Sequence, residues 1–329
     1  MRPDLMKTVL TGIKPTGTPH LGNYLGAIRP ALELTKVPDN RALYFVADYH
    51  AFTTRHEPAA LRASVYEVTA TWLACGLDPA KTSLFLQSRV PETFELCWVL
   101  MCLLSSGQLE RGHAYKAALE QGEATNGGVY AYPALMAADI LLYDVDSVPV
   151  GQDQKQHVEV ARDVAVRFNH AFGEVLRLPS AVIGEGPLVP GLDGRKMSKS
   201  YDNTVPLFLP EKELRAAILR IKTGSEPLEA PKEAEPSAVY QLFRLVASPE
   251  RAAQMVEQLA HDKAYGWGHA KLDLYQAMSA ELSPKRELYL RLRADEGYLD
   301  EVLTRGSEQA REVAVATLDR VRSAIGIRK

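Results

Sequence analysis

Through the first two thirds of the chain, short apolar runs closed by turn residues alternate with longer amphipathic runs. The segments Lys7–Ile13, Ala42–Ala47, Thr82–Gln87 and Asp146–Val150 predict strands. Between them, apolar positions at helical spacing predict helices over Asn23–Leu34, Pro58–Ala74, Pro91–Leu104, Ala134–Tyr143 and Gln154–Phe168. This alternation argues for an α/β fold with a parallel, doubly wound sheet, in which ligands bind beyond the carboxyl ends of the strands.

After Tyr201 the pattern changes. Glu211–Ile221, Tyr240–Leu245, Pro249–Ala260, Trp267–Leu282, Pro284–Asp295 and Leu299–Ile325 all read as helices, and Thr223–Ser237, rich in Pro and Glu, as an exposed loop. The expected organisation is a catalytic domain over 1–205 and an all-helical domain over 206–329, whose last helix is expected to pack back on the first domain.

Composition narrows the class. A length of 329 residues suggests about two domains, and no apolar run is long enough to span a bilayer. The N-terminus lacks the apolar core of a signal peptide, so a cytoplasmic protein is expected. Cys75, Cys97 and Cys102 fall in apolar helical patterns without metal-ligand spacing and are expected to be buried thiols. A net charge of -3 excludes a global attraction to nucleic acid, so RNA binding needs a local patch.

Three segments carry candidate chemistry. In Gly12–Asn23 a strand runs through a Gly/Pro-rich turn into a helix expected to open at Gly22, which aims free N–H groups at an anion. His20 and Asn23 add donors. The second segment, Lys196-Met197-Ser198-Lys199-Ser200, puts two ammonium groups on a loop with Gly- and Pro-punctuated, mobile flanks. It reads either as a solvated basic loop or as a clamp for charge developing on a departing pyrophosphate. In the third, Tyr132–Tyr143, Asp139 is a single carboxylate in an apolar helical run and needs a partner. A backbone amide, a neighbouring arginine or a ligand N–H would each serve. If the ligand alone supplies the donor, a competitor lacking it is rejected by about 10⁴ or more.

The pair Pro15–Asn23 and Lys196–Ser200 resembles the HIGH and KMSKS signatures of class I aminoacyl-tRNA synthetases, with Asn23 where the last His of HIGH stands. The Asp139 helix, Ala47–Ala51, Gln108–Arg111, Val148–His157 and Ala264–Trp267 with Lys271 resemble the tryptophanyl branch, a likeness covering nearly the whole chain.

The resemblance implies a Rossmann-like catalytic domain with an insertion at about 91–132 that forms a homodimer interface, and a helical anticodon-binding domain. It implies ATP and L-tryptophan as substrates, Mg²⁺ accompanying ATP, tRNA(Trp) as acceptor, and no membrane association. By position, Lys196, Lys199 and His20 match the catalytic groups. Lys14, Pro15, Thr16, Gly22, Asn23, Val189, Met197, Ser198 and Ser200 match ATP contacts, as do Gly151, Gln152 and Asp153 at the ribose, where Asp153 reads equally as a helix cap. Asp139 matches the indole-binding carboxylate, Tyr132 and Met136 its neighbours, and His50 and Gln154 residues beside the ammonium and carboxylate. No protein group is expected to hold a metal. Lys14 stands where relatives carry Gln, and Lys116 is the lysine offered by the loop Ala114–Thr125. A tyrosyl-tRNA synthetase, a nucleotidyltransferase with another acceptor and a non-catalytic paralogue are the rival readings.

Overall fold

The structure, a computed structural model, describes residues 6–15, 17–54, 56–120, 125–151, 155–183 and 187–327. Strand β1 (Lys7–Ile13) turns into a helix in three parts: α1 (Leu21–Asn23), a π turn (Tyr24–Ile28) and α2 (Arg29–Leu34). Then come β2 (Asn40–Val46), α3 (Asp48–Phe52), α4 (Pro58–Ala74) and β3 (Ser83–Leu86). The stretch between β3 and the next strand holds α5 (Glu92–Met101), α6 (Ser106–Glu110), α7 (His113–Glu120) and α8 (Gly127–Leu141). Strands β4 (Ser147–Val150) and β5 (Ser180–Ile183) flank α9 (Lys155–Phe172).

These strands form one parallel sheet in the order β3-β2-β1-β4-β5. The chain builds outward from β1 to β3, then returns to lay β4 against the other side of β1. A crevice opens at that reversal, beyond the carboxyl ends of β1 and β4. The near-continuous apolar run of β2 follows from burial on both faces.

Five helices follow: α10 (Glu211–Leu219), α11 (Ala238–Val246), α12 (Pro249–His261), α13 (Trp267–Arg293) and α14 (Glu296–Ala324). One apolar core runs from Leu21, Tyr24 and Trp72 into Leu274, Met278 and Leu303, so the late helices share a core with the sheet's helices. Helix α14 lies against β3, the strand at one end of the sheet. A Cβ on Gly306 would sit 2.0 Å from the carbonyl oxygen of Leu84, an approach only glycine permits. Ser83 donates to Gln309 (2.7 Å) and the Leu86 N–H to Ser307 (3.4 Å), occupying polar groups of that strand.

Several sequence expectations need correction. β5 was not anticipated. Helix α13 continues through Pro284, where two helices were expected; proline removes one ladder bond, and packing on both sides, from Met278 and Leu282 to the Phe208–Tyr289 ring pair at 4.3 Å, holds the axis. Where Ala114–Thr125 was expected as a loop, His113–Glu120 are helical, and α8 starts at Gly127, capped by Asn126, with Pro133 inside it. Within the exposed Thr223–Ser237 stretch, Lys232 is buried, and its ammonium donates to the carbonyls of Pro227, Leu228 and Ala230. Cys75 and Cys97 are buried as expected, but Cys102 is exposed. No helix among the described residues is long and apolar enough to cross a membrane.

Candidate active site

The crevice between β1 and β4 widens into a cavity of about 820 Å³, a size that suits one or two small ligands. Lys14, His20, Gly22, Asn23, His50, Tyr132, Met136, Asp139, Gly151, Val189, Lys196, Met197, Ser198 and Lys199 all line it. Pro15 is buried and Ser200 exposed, and neither reaches the lining. Thr16, Gln152, Asp153 and Gln154 lie outside the described residues.

One end of the cavity is built on α8. Tyr132, Met136 and Asp139 recur at helical spacing and therefore share a face. Asp139 is only 2% exposed, yet its carboxylate does not wait for a ligand. His50 Nε2 donates to Oδ2 at 2.7 Å, and Gln87 Nε2 lies 2.8 and 2.9 Å from the two oxygens. Among the described residues neither a backbone amide nor an arginine fills the role. The Gln87 carbonyl oxygen in turn accepts the His50 N–H at 3.4 Å, which fixes the amide's orientation. Because a carboxylate has about four lone-pair sites, room remains for one further donor from the cavity.

The elements behind this network are strand ends. His50 sits on α3 just past β2, Gln87 just past β3, and Asp48 Oδ1 accepts the Ser88 N–H at 3.0 Å, tying the two together. Burial raises the Asp48 carboxyl above its ordinary range against these hydrogen bonds. Burial, then the Asp139 charge, likewise raises the Tyr132 hydroxyl and pushes the Cys97 thiol up to about 12, keeping both neutral. The Tyr132 ring meets His50 edge-on at 4.5 Å. Since His50 Nε2 must donate to a carboxylate, Nδ1 is left as a buried lone pair without a hydrogen-bond partner among the described residues.

The other end joins the two signature loops. His20 caps α1: its Nδ1 accepts the Asn23 N–H at 3.3 Å, and the Asn23 side chain accepts the His20 N–H at 3.0 Å. The proton therefore belongs on Nε2, available as a donor. Burial, then the Lys199 charge, pulls the imidazole down to about 4, so it stays neutral at physiological pH. The helix opens at Leu21, not Gly22, and its first N–H groups are not free. Leu21 N–H goes to the Val205 carbonyl at 2.8 Å and Gly22 N–H to the Met197 sulfur at 3.2 Å. A thioether is a weak acceptor, so Gly22 is the one N–H an anion can readily claim.

The flanks of the lysine loop are pinned where mobility was expected. Asn203, buried, accepts the Ser198 N–H at 2.8 Å and donates to Asp193 at 2.7 Å and to the Lys196 carbonyl at 3.1 Å. The bond from Asn203, with those that the Arg195 backbone N–H and Nε donate at 3.1 and 2.6 Å, holds the Asp193 carboxyl down at about 2. Gly191 leaves the room that the Asn203 side chain occupies. Past the loop, Leu207 N–H returns to the Pro19 carbonyl at 3.0 Å. Lys196 and Lys199 are exposed and line the cavity, and Asn203 holds the Lys196 backbone through its carbonyl.

A carboxylate with a donor-ready face at one end and two lysines with a neutral histidine at the other suit an amine or indole at the first and a polyphosphate at the second. The pattern of the family tRNA synthetases class I (W and Y) matches residues 6–283. The chain belongs to this family of class I synthetases for tryptophan and tyrosine. A tryptophan–tRNA ligase from Neisseria meningitidis serogroup A is 45% identical to the synthetase over 333 residues, 98% of either chain. One from Pseudomonas aeruginosa is 47% identical over 332 residues, covering 97% of this chain and 74% of its own. The crystal structure of tryptophanyl-tRNA synthetase from Campylobacter jejuni complexed with ADP and tryptophan matches with a TM-score of 0.90 at 38% identity, over 97% of this chain and 99% of that one.

Within the synthetase, Lys14 lines the cavity while Lys116 stands exposed on α7, away from it. Among the described residues no three His, Cys, Asp or Glu side chains gather closely enough to hold a metal ion. Sequence reasoning missed Gln87 and Asn203. The place of Gln87 at the carboxyl end of the expected strand Thr82–Gln87 was the one signal available for it, and the Asp-x₉-Asn spacing around the lysine loop carried none.

Proposed function

We infer that the synthetase joins L-tryptophan to ATP, forming tryptophanyl-adenylate, and passes the acyl group to tRNA(Trp) with release of AMP. One observation carries the site assignment: a single cavity at the sheet's reversal holds Asp139 at one end and His20, Lys196 and Lys199 at the other. In this reading the indole N–H takes the acceptor site that His50 and Gln87 leave open on Asp139, with Tyr132 and Met136 beside the ring. ATP lies along the first loop, where Lys14, Gly22, Asn23, Val189, Met197 and Ser198 line the cavity, with Gly151 toward the ribose.

No protein nucleophile is needed. The tryptophan carboxylate attacks the α-phosphorus, the bond to pyrophosphate breaks, and the negative charge leaves on pyrophosphate. His20 Nε2–H, kept neutral and oriented, donates to phosphate oxygen, while the two lysines neutralise the leaving charge. Mg²⁺ enters as part of the ATP substrate, held by phosphate oxygens. A terminal ribose hydroxyl of the tRNA then attacks the acyl carbon and AMP leaves.

A cytoplasmic homodimer is the expected working form. Residues 91–132 are read as its interface because α5 exposes Trp98 (67%) and Phe94 (38%), a costly display for a monomer. Residues 206–329 are read as the anticodon-binding part. The deciding experiment compares ATP–pyrophosphate exchange with tryptophan and with tyrosine, followed by charging of purified tRNA. Tryptophan-dependent exchange and charging are expected; faster exchange with tyrosine, or exchange without charging, refutes the assignment.

A further inference from the structure

The helix that carries the ATP loop is irregular, and the irregularity has a clamp at each end. Directly after Asn23 the chain makes a π turn, Tyr24–Ile28, before regular α-helix resumes at Arg29. The wider turn sends Tyr24, Leu25 and Ile28 into the core while Gly26 and Ala27 face the cavity. A π turn has poorer geometry than α-helix and persists where tertiary contacts hold it.

Two such contacts exist, both to the late helices. At the start of the turn the Tyr24 hydroxyl, buried with 2% exposure, donates to Glu281 on α13. Just past its end, Arg29 Nη1 donates to the Leu245 carbonyl at the end of α11 at 2.7 Å. Lys285 completes the first clamp, 3.0 Å from Glu281 Oε1 and 5.8 Å above the Tyr24 ring. Burial opposes ionisation of Glu281, but the hydrogen bonds from Tyr24 and Lys285 and the charges of Lys285 and Arg29 outweigh it and lower its pKa. Tyr24 is the next residue after the His20–Asn23 capping pair, and its backbone N–H donates to the His20 carbonyl at 3.2 Å.

We propose that Tyr24 and Glu281 are positioning residues for ATP: the late helices hold the π turn, and through it the His20 end of the cavity. The proposal rests on the reading of that end as the ATP site. Its consequence is that a contact remote from the chemistry governs ATP and leaves tryptophan alone.

Tyr24→Phe removes the donor and keeps the ring, Glu281→Leu removes the acceptor, and Glu281→Gln retains an acceptor for the hydroxyl. In ATP–pyrophosphate exchange, the first two are expected to raise KM for ATP about tenfold through loss of positioning, with tryptophan affinity, read by fluorescence without ATP, unchanged. Glu281→Gln is expected to stay near the parent. Tyr24→Phe combined with Glu281→Leu is expected to be no worse than either alone. Hydrogen exchange at the amides of Leu21–Ile28, measured without ligand, is expected to quicken in both single variants and tests the clamp independently of any activity. Unchanged KM for ATP in both, equal losses for ATP and tryptophan, or unchanged exchange at those amides would overturn the proposal. Absence of tryptophan-dependent exchange in the parent would instead count against the proposed function.

Discussion

Asp139→Asn separates the indole contact from the network that supports it. The carboxylate oxygens accept from Gln87 at 2.8 and 2.9 Å and from His50 at 2.7 Å. Asparagine keeps one acceptor and turns an NH₂ toward the other donors. His50 can absorb the change by moving its proton from Nε2 to Nδ1, since Nδ1 has no partner among the described residues. Nε2 then accepts from the asparagine NH₂ and Nδ1 exchanges an unmet lone pair for an unmet N–H, so the fold survives. What is lost is a hydrogen bond to a charged group, about 1.5–3 kcal/mol, equivalent to about 10- to 150-fold in kcat/KM for tryptophan. KM for ATP stays at the parent value, and the rate with phenylalanine, whose side chain brings no N–H, is unaffected. The tryptophan-to-phenylalanine preference therefore falls by the same factor. Pyrophosphate exchange with both amino acids measures it, and an unchanged preference refutes the indole contact. The expected size also corrects the about 10⁴ anticipated for a carboxylate left wholly unpaired. With His50 and Gln87 in place, phenylalanine strands only one acceptor site.

Two further outcomes follow from geometry elsewhere. His20 has a pKa near 4 in the folded chain and 6.5 unfolded, so below pH 6.5 the unfolded state takes up a proton that the folded state refuses. Stability contributed by the neutral ring is intact above that pH and is lost as pH falls toward 4. His20→Gln is expected to flatten this part of the profile in urea titrations between about pH 5 and pH 7, and an unchanged slope contradicts the assignment. Gly306→Ala drives a methyl to 2.0 Å from the Leu84 carbonyl oxygen. Displacing α14 from β3 is expected to cost about 1–3 kcal/mol and lower the melting midpoint by about 2 °C per kcal/mol; a neutral result in thermal denaturation refutes the close approach.

The sheet was legible wherever strands were short apolar runs between turn residues, and β1 to β4 follow that pattern. Ser180–Ile183 escaped because four residues of modest hydrophobicity carry no period, and only pairing with β4 makes them a strand. The break expected at Pro284 failed for a related reason: local propensity lost to packing along both halves of α13. At the site, charge and motif made His20, Asp139 and the lysines visible. Gln87 and Asn203 were missed because their role is to orient other groups, and orientation arises only when distant strand ends and loops meet. The free N–H groups expected at the first helix were legible as a local motif, but Val205 and Met197, far along the chain, had already taken them.

The cover that α14 gives β3 also sets a schedule. Ser83 and its partner Gln309 are 226 positions apart, so at about 5–20 residues per second the ribosome makes the strand some 10–45 s before the helix that shields it. During that interval the edge is open to any other extended segment, including a neighbouring nascent copy. The sheet is laid down well before its flank is protected, which makes this edge the natural place for a chaperone to wait.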